Sequence, residues 1–482
     1  MKELKVALVN TQYHGRGYPI GGMENYGLLV LAYAIAGIDI EVGLFPEVGK
    51  STADEERIAD FLKGADIPII GLSVTNSQYT EYRQKLAKLR SQVPDAIFVG
   101  GGPAFMREDG KYKDSVDIGL LEDKLDAVNV GHAMPFVEMC YSLRTERLRR
   151  TKTGLEGEIS TGLYALKDGK IIGQEKGKMP NIPMPVGITN FIFKRILVYA
   201  DGSCPNACDY CTCPRGSLTP AESTFRQIKK YAQYFSKDHP LISFSDNNPF
   251  MTKKSVEFMR EIRRRGITTP LSVYADDAMF ANPEYMRNLV EELGIESIFI
   301  GRETSDAQVA AQLGRRLKGK LRDQDLLDRS IKGLLEFNRQ MREKVAIRIG
   351  YIVSPFDNPN SIAKLEEETR ALSGRNVTHI ISPLQAHFGT EIRRKYRDLL
   401  IDPDNPWLMN EDTLSWSRES NPYMHTFISG MLAFYALKRK HKNFHQLIPS
   451  AKRLAESGKE VEGPVTSSPF EEVQRHCKTL IV

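Results

Sequence analysis

Residues 196–213 read ILVYADGSCPNACDYCTC and join a short apolar run to four closely spaced cysteines. The run has the continuous apolar character of a buried strand, so the cysteines stand on the loop after its carboxyl end. Three of them, Cys204, Cys208 and Cys211, are separated by three and then two residues. Parallel α/β folds bind ligands at the carboxyl ends of their strands. The segment therefore predicts a functional loop at the mouth of an α/β domain.

The sequence around this loop, from about 190 to 390, alternates apolar strand patterns with amphipathic helical patterns. Strands are predicted at 196–200, 241–245, 271–274, 297–301, 346–353 and 378–382. Helices are predicted between them, for example at 254–265, 284–293 and 324–340. Six such β/α units predict a partial (β/α)6 TIM barrel with a side opening for a large substrate.

The cysteine content indicates metal binding rather than a disulfide framework. Of the six cysteines in 482 residues, four fall within residues 204–213, whereas disulfides are usually spread over small secreted chains. Three thiolates can ligate three irons of a cubane cluster and leave the fourth iron without a protein ligand. Zinc sites usually take four ligands in C-x-x-C pairs, and the sequence has no distant second pair. Cys213 could add a thiolate, and we interpret it instead as a nearby free thiol.

The C-x-x-x-C-x-x-C loop, with the aromatic Tyr210 before its last cysteine, resembles the signature of the radical S-adenosylmethionine superfamily. The resemblance implies that Cys204, Cys208 and Cys211 hold a 4Fe-4S cluster whose open iron binds the amino and carboxylate groups of S-adenosylmethionine. Reductive cleavage of that cofactor would release methionine and a 5′-deoxyadenosyl radical. A non-catalytic iron-sulfur or zinc protein is the alternative.

Other segments of the predicted barrel are similar to elements of the same superfamily. Asp246 lies in SDNNP at the end of the second strand, and Glu303 lies in GRETS at the end of the fourth. The resemblance implies that Tyr210, Asp246 and Glu303 contact S-adenosylmethionine. Residues 349–353 resemble the fifth-strand element of the superfamily, and residues 382–390 resemble its P-x-x-x-G-T element. For Asp246 and Glu303 the alternative is a structural role, because a strand-end carboxylate is as often a helix cap.

The first 140 residues show a second strand–helix alternation. Strands are predicted at 6–9, 38–44, 67–71, 96–99 and 127–130, and helices at 24–36, 55–62 and 79–92. This pattern predicts a doubly wound, Rossmann-like (flavodoxin-like) parallel sheet. Its strand ends are rich in glycine, serine, threonine and asparagine, and such loops let a bulky ligand approach the backbone.

This first domain resembles the cobalamin-binding subgroup of the superfamily in GLSVT at 71–75, FVGGGP at 98–103 and DAVNVG at 126–131. The alternative is a doubly wound domain that binds another nucleotide or no ligand. The resemblance implies cobalamin contacts from a set of small or hydroxyl-bearing residues, namely Ser73, Thr75, Gly100, Gly101, Gly102 and Gly131.

His14 stands in QYHGRG, which fits the D-x-H-x-x-G pattern of classical cobalamin carriers except that Gln12 replaces the aspartate. An amide orients an imidazole less well than a carboxylate does. We therefore interpret His14 as a plain loop histidine and keep cobalt ligation as the alternative.

Segment composition predicts four regions. Residues 141–190 are basic and proline-rich and read as a linker with a hairpin at Asp168-Gly169. The regions are a cobalamin-binding domain at 1–140, the linker at 141–190, a radical S-adenosylmethionine partial barrel at 191–395 and a helical region at 396–482.

Charge and hydropathy exclude several classes of function. The net charge of +5 is mild for this length, so no nucleic acid or membrane surface is expected as the main partner. No stretch approaches the roughly 20 apolar residues of a membrane span, and the N-terminus lacks a signal h-region. We expect a cytoplasmic enzyme.

Together the two resemblances imply a cobalamin-dependent radical S-adenosylmethionine enzyme. They favour a C-methyltransferase that acts on an unactivated carbon of a small molecule or natural-product intermediate. The expected partners are that substrate and an electron donor such as flavodoxin or ferredoxin. A cyclase or rearrangement enzyme, and a radical enzyme whose first domain binds no cobalamin, are the alternatives.

Overall fold

The computed structural model of the chain describes residues 2–10, 28, 31–32, 35, 38–45, 52–74, 79–102, 105, 115–130, 134–152, 154–160, 162–168, 170–173, 187–189, 195–198, 204–211, 222–234, 240–244, 248–341, 344–387, 390–400, 416–437 and 448–457. The chain forms two compact units, one mainly of Met1–Arg195 and the other mainly of Ile196–Pro403 with the C-terminal helices.

Up to residue 173 the described part of the chain contains nine strands, and seven of them form one sheet in the order β2-β1-β3-β4-β5-β8-β9. The strands are Leu4–Asn10 (β1), Glu41–Phe45 (β2), Ile67–Ser73 (β3), Ile97–Gly101 (β4), Ala127–Asn129 (β5), Leu148–Thr151 (β6), Gly154–Gly157 (β7), Leu163–Lys167 (β8) and Lys170–Gly173 (β9). The first five run parallel. The order 2-1-3-4-5 is that of flavodoxin-like folds, so the predicted doubly wound fold is confirmed.

Helices cover both faces of this sheet because its strands are apolar on both sides. Along β4, Phe98 contributes to the core on one face, whereas Ile97 and Val99 contribute to the core on the other. The described helices are Thr52–Leu62 (α1), Tyr79–Gln92 (α2) and Met134–Arg144 (α3), and a helical turn at Ser115–Asp117 continues into a π-helix at Ile118–Glu122. Of the predicted helix at 24–36, the four described residues are helical.

The predicted linker at 141–190 contains the strands β6 to β9. The hairpin at Asp168 is present, with Lys167 opposite Lys170 and Asp168 at φ +50°. β8 pairs antiparallel with β5, so the hairpin extends the first sheet. This pairing covers the backbone groups that β5 would otherwise leave open at a sheet edge.

The second sheet has seven strands in the order β10-β11-β12-β13-β14-β17-β18. The remaining strands are Gly187–Thr189 (β10), Arg195–Val198 (β11), Leu241–Phe244 (β12), Leu271–Asp276 (β13), Ile295–Glu303 (β14), Arg316–Leu317 (β15), Lys320–Leu321 (β16), Ala346–Val353 (β17) and Val377–Pro383 (β18). The pairs from β12 to β18 are parallel, as a partial barrel requires. All six predicted barrel strands are present, and β10 adds a seventh at the edge.

Helices alternate with these strands and continue into the C-terminal region. They are Glu222–Tyr234 (α4), Lys253–Arg264 (α5), Pro283–Leu293 (α6), Ala307–Gln312 (α7), Gln324–Met341 (α8), Pro359–Ala371 (α9), Glu391–Lys395 (α10), Pro422–Leu437 (α11) and Ile448–Glu456 (α12). In the C-terminal region Trp416 and Phe427 are buried. Trp416 donates its indole N–H to the Leu384 carbonyl at 2.8 Å. None of the helices in the described ranges is both long and apolar enough to cross a membrane.

Candidate functional site

The cysteine loop is described from Cys204 to Cys211, after the first long strand of the second unit. Cys204 and Cys208 are partly buried and Cys211 is exposed. Ala207 has φ +55°, a left-handed conformation that alanine adopts at a cost. The Cys211 amide donates to the Cys208 carbonyl at 3.2 Å. The loop therefore turns tightly and presents its thiols on a short length of backbone.

Two other segments of the second unit hold the loop by its backbone. The Asp209 amide donates to the Gly314 carbonyl at 3.3 Å, and the Asp209 carbonyl accepts from the Ile392 amide at 3.0 Å. Gly314 has φ +60°, and a Cβ there would lie 2.1 Å from Cγ of Asp209. Only glycine fits this close approach.

Side chains add a second set of contacts through the buried amide of Asn206. Its Nδ2 donates to Oδ2 of Asp276 at 2.7 Å, and its Oδ1 accepts from the Lys318 amide at 3.2 Å. Arg322 also donates to Oδ2 of Asp276. Asp276 ends β13, so the cysteine loop is connected to the carboxyl end of a barrel strand.

Sγ of Cys208 accepts a backbone hydrogen bond and, as a thiol, also donates one to the Arg316 carbonyl at 3.8 Å. The amide of Arg316, at the start of β15, lies 3.4 Å from Sγ of Cys208. The Arg316 side chain extends back to Asp209, with Nε 3.6 Å from Oδ1. The hairpin β15–β16 therefore lies directly against the loop.

A buried ionic network lies next to these contacts. Asp277 accepts from Arg302 and Arg315, each at 2.7 Å, and also from Arg322. Burial alone would raise the pKa of Asp277, but the guanidinium groups hold it well below its usual range. Arg302 also forms two hydrogen bonds to Glu368, on α9. Removal of one member of such a network would leave buried charges unpaired, which typically costs about 3–5 kcal/mol.

Glu303, the predicted cofactor contact in GRETS, lies at the end of β14. It has φ +61° and follows a shift in the pairing register between β14 and β17. Its carboxylate folds back over Gly301, where a Cβ would lie 2.7 Å from Oε1. Burial raises the pKa of Glu303 to about 7, while nearby Arg315 opposes the shift. A strained backbone and a perturbed carboxyl group are typical of functional sites.

Tyr210, predicted to contact the cofactor, packs against an apolar cluster in the second unit. The cluster includes Leu313, Leu384 and Ile392. The pKa of Tyr210 lies well above its usual value because the residue is buried and because the charge of Glu303 is close. The structure therefore brings Tyr210, Glu303 and the cysteine loop together.

The three thiols are close enough to influence one another. Burial raises the pKa of Cys204 to about 11, and the charges of Cys211 and Cys208 add to the effect. Within the described part of the chain, no group of three or more His, Cys, Asp or Glu residues is arranged to hold a metal ion. A cubane takes one thiolate on each of three irons, so its sulfurs do not meet at one point. The thiolate set and the hydrogen bond to Cys208 fit such a cluster.

The first unit has a polar row at the carboxyl ends of its parallel strands. Ser73 of β3 lies opposite Gly101 of β4, which lies opposite Asn129 of β5. Asn10 of β1 lies opposite Ser73. These residues share one face of the sheet, next to the position between β1 and β3 where flavodoxin-like folds bind their ligands.

The three predicted cobalamin-contacting glycines at the carboxyl end of β4 have different surroundings. A Cβ on Gly100 would lie 2.6 Å from Leu125 and 2.8 Å from Phe105. Gly102 has φ +99° and lies against the backbone of Val74. Among the described residues, the nearest atom to a Cβ on Gly101 is the Asn129 carbonyl oxygen, at 3.6 Å. Gly100 therefore serves core packing and Gly102 a turn, and Gly101 is the glycine with room for a ligand on its side of the sheet.

Several predicted site residues lie outside the described residues. They are His14, Thr75, Gly131, Cys213 and Asp246. Their proposed roles remain predictions.

Sequence reasoning missed the residues that anchor the cysteine loop. Asp276 and Asp277 directly follow a predicted strand, and their place at a strand end was an available signal. The three arginines and Asn206 carried no such signal in the sequence, because arginines and loop asparagines usually face solvent. The missed residues are Asn206 and Arg322, which donate to Asp276, and Arg302 and Arg315, which donate to the adjacent Asp277.

Comparisons with known proteins find similar structures but no similar sequences. No protein-family model matches the sequence, and no curated protein matches it. Among solved structures, the radical S-adenosylmethionine methyltransferase TsrM from Kitasatospora setae, with tryptophan substrate and the analogue aza-SAM bound, matches 99% of this chain and 100% of its own at 13% identity and a TM-score of 0.62. TsrM with cobalamin and a [4Fe-4S] cluster bound matches 83% of this chain and 75% of its own at 14% identity and a TM-score of 0.57.

The cobalamin-dependent S-adenosylmethionine radical enzyme OxsB, with aqua-cobalamin and S-adenosylmethionine bound, matches 99% of this chain and 75% of its own. The identity is 15% and the TM-score 0.64. At such identities the likeness concerns the fold, and it extends over both units. The chain therefore has the fold of the cobalamin-dependent radical S-adenosylmethionine enzymes, as its cysteine loop and strand ends predicted.

Proposed function

We propose that the chain is a cobalamin-dependent radical S-adenosylmethionine enzyme that transfers a methyl group to an unactivated carbon of a small molecule. Cys204, Cys208 and Cys211 would hold a 4Fe-4S cluster that, when bound, supplies the electron for reductive cleavage of S-adenosylmethionine. The observation that carries the proposal is a thiol loop held at the carboxyl end of a barrel sheet, beside the buried carboxyl group of Glu303.

In this proposal, different residues of the second unit position the cysteine loop, contact the cofactor and exclude water. Asn206 and the Asp209 backbone keep the loop in place. Glu303 would accept a hydrogen bond from the cofactor when ionised, and its raised pKa lets it hold a proton when no cofactor is present. Tyr210 fills the apolar cluster behind the loop and would keep water away from the reacting atoms.

The first unit would bind cobalamin, which supplies the methyl group when bound. Ser73 and Asn129 would hydrogen-bond the cofactor, and Gly101 would let it approach the backbone. Support comes from the flavodoxin-like strand order and from the polar row at its carboxyl edge.

The remaining elements of the proposal follow from the chemistry. A small-molecule substrate is favoured because the charge of the chain gives no reason to expect a nucleic acid. Reductive cleavage needs one electron at a time, so a flavodoxin or ferredoxin is the proposed donor. We place the enzyme in the cytoplasm, where thiols that bind a cluster stay reduced.

Anaerobic reconstitution with iron and sulfide tests the proposal. The wild-type chain should bind about four irons and, with a reductant, form 5′-deoxyadenosine from S-adenosylmethionine. The Cys204/Cys208/Cys211→Ala variant should lose both properties, and Cys140→Ala, a buried cysteine of the first unit, should keep them. Undiminished 5′-deoxyadenosine from the triple variant would refute the cluster assignment.

Cobalamin and methyl transfer need their own measurements. The reconstituted chain should retain cobalamin through gel filtration, with its characteristic visible absorption. With S-adenosylmethionine labelled CD3 on sulfur, a methyl transferase moves the label into its product, whereas a cyclase or rearrangement enzyme does not. If no cobalamin stays bound after gel filtration, the alternative of a radical enzyme whose first domain binds no cobalamin is favoured.

A further inference from the structure

Residues 314–322, which include the hairpin β15–β16, contact the cysteine loop at three of its residues, Asn206, Cys208 and Asp209. Gly314 accepts from the Asp209 amide, and the Lys318 amide donates to Asn206. Between these two contacts, the Arg316 amide donates to Sγ of Cys208 at 3.4 Å. Neither the predicted cluster ligands nor the cofactor contacts require this segment, so its role is not explained by the proposed activity.

The hydrogen bond to Cys208 places a positive dipole end against one sulfur. A ligating thiolate carries more negative charge than a thiol, so it is the stronger acceptor for this amide. Reduction adds an electron to the cluster and increases the negative charge on its sulfurs. Hydrogen bonds to the sulfurs are among the factors that set the reduction potential of iron-sulfur clusters. An amide held here favours the reduced state and makes the potential less negative.

Asn206 and Arg322 keep the hairpin in register with the loop. Both are buried and both donate to the same oxygen of Asp276. Asn206 belongs to the loop and Arg322 directly follows the hairpin. Asp276 therefore connects the loop to the hairpin through the two hydrogen bonds that it accepts. Asn206 also accepts from Lys318, two residues beyond the amide that contacts the sulfur. If these contacts were lost, the Arg316 amide would no longer be held against Cys208.

We propose that Asn206 and Arg322 are positioning residues that hold the Arg316 amide on Sγ of Cys208, and that this hydrogen bond raises the reduction potential of the bound cluster. The inference rests on the proposed function, because it requires that Cys208 ligates a cluster.

Two substitutions at Arg316 separate its amide from its side chain. Arg316→Pro removes the N–H that contacts the sulfur, whereas Arg316→Ala keeps it and removes the ion pair with Asp209. We expect a more negative midpoint potential in Arg316→Pro and a wild-type potential in Arg316→Ala. The potential is measured on reconstituted, full-length protein by redox titration followed by electron paramagnetic resonance, at matched iron content.

Asn206→Ala provides a second route that does not depend on proline fitting the hairpin. Its matched control is Asn376→Ala, because the Asn376 amide also forms two hydrogen bonds in the same unit, to Asn338 and Val345, but lies before β18 at the amino end of the strands. Both variants should lower the unfolding temperature. Asn206→Ala alone should make the potential more negative.

The outcomes distinguish this inference from the proposed function. A wild-type chain that takes up no iron-sulfur cluster would overturn the proposed function, and this inference with it. A cluster that forms in the wild type and keeps an unchanged potential in Arg316→Pro and Asn206→Ala would overturn only the inference. A potential that becomes more negative in those variants and stays constant in Arg316→Ala and Asn376→Ala supports it.

Discussion

At the scale of single residues, Glu303 combines a left-handed backbone with a buried carboxyl group. Its φ of +61° lies where non-glycine residues are uncommon, and Ala207 in the cysteine loop has a φ of +55°. Each such residue costs on the order of 1–3 kcal/mol and persists only where its surroundings enforce it. Ala207 lies in a loop that is held by hydrogen bonds on both sides. Glu303 lies where the pairing register between β14 and β17 shifts.

The pKa of Glu303 predicts a pH dependence of stability in the cluster-free chain. With a folded-state pKa of about 7 against an ordinary value of 4.5, the folded chain holds a proton that the unfolded chain releases. The stability that Glu303 contributes is therefore fully present below pH 4.5 and is lost as the pH rises toward 7. A shift of this size corresponds to roughly 3 kcal/mol.

Glu303→Gln should remove that part of the pH dependence, because glutamine remains neutral. Urea unfolding of both proteins at pH 4.5 and at about pH 8 measures it, with the second unit monitored by near-ultraviolet circular dichroism. We expect the variant to gain stability over the wild type at the higher pH. Equal differences between the two proteins at both pH values would show that Glu303 titrates normally.

The anchors of the cysteine loop illustrate what sequence leaves open at this scale. The cysteine spacing predicted which residues could bind a cluster, since ligand spacing is local in the chain. The partners of Asn206 and Asp277 are distant in sequence, so spacing carries no information about them. Which residues could ligate was therefore predictable, and what holds them was not.

At the scale of elements, three consecutive glycines, the last two residues of β4 and the residue after it, have three different physical roles. In a strand, successive side chains point to opposite faces, so Gly100 faces the core beneath Phe105 and Gly101 faces the other side. The glycine run predicted a close ligand approach without indicating which glycine allows it.

Alanine at two of these glycines should separate packing from ligand binding. Gly100→Ala places a methyl group against Leu125 and Phe105 and should cost about 1–3 kcal/mol through overpacking. Gly101→Ala makes ordinary contacts, at 3.6 Å or more, with the residues that the structure describes, and should leave stability near the wild-type value while it weakens cobalamin binding. Urea unfolding and visible absorbance titration measure the two effects. Wild-type cobalamin affinity in Gly101→Ala would remove Gly101 from the binding surface.

The barrel strands were predictable as elements and the hairpin β15–β16 was not. Parallel strands buried on both faces form apolar runs, which is why the strand at 346–353 was predicted with its observed bounds. β15 and β16 have only two residues each, one charged residue and one leucine, so they are too short to leave a periodic pattern. The hairpin at Asp168 was visible from its turn residues, but its pairing with β5 was not.

At the scale of the whole molecule, the described strands form two seven-stranded sheets, one from β1–β5, β8 and β9 and the other from β10–β14, β17 and β18. The proposed cobalamin site uses residues of the first unit, and the proposed cluster site uses residues of the second. We therefore expect each site to bind its cofactor even when the other site is empty.

This separation predicts independent loss of the two cofactors. The Cys204/Cys208/Cys211→Ala variant should bind no cluster and should retain cobalamin. A Ser73→Ala/Asn129→Ala variant should bind cobalamin weakly and should retain its cluster with wild-type iron content. Iron analysis and visible absorbance on each purified variant make the comparison. Simultaneous loss of both cofactors in either folded variant would contradict the assignment of one site to each unit.

The sequence by itself determined the two α/β folds and the candidate cluster ligands, because strand hydrophobicity and cysteine spacing are local properties of the chain. Tertiary structure alone decided how the cysteine loop is held, which glycine of β4 has room for a ligand, and that the 163–173 hairpin completes the first sheet. The reason is that these features depend on atoms brought together from distant positions, and their contacts exist only once the chain has folded.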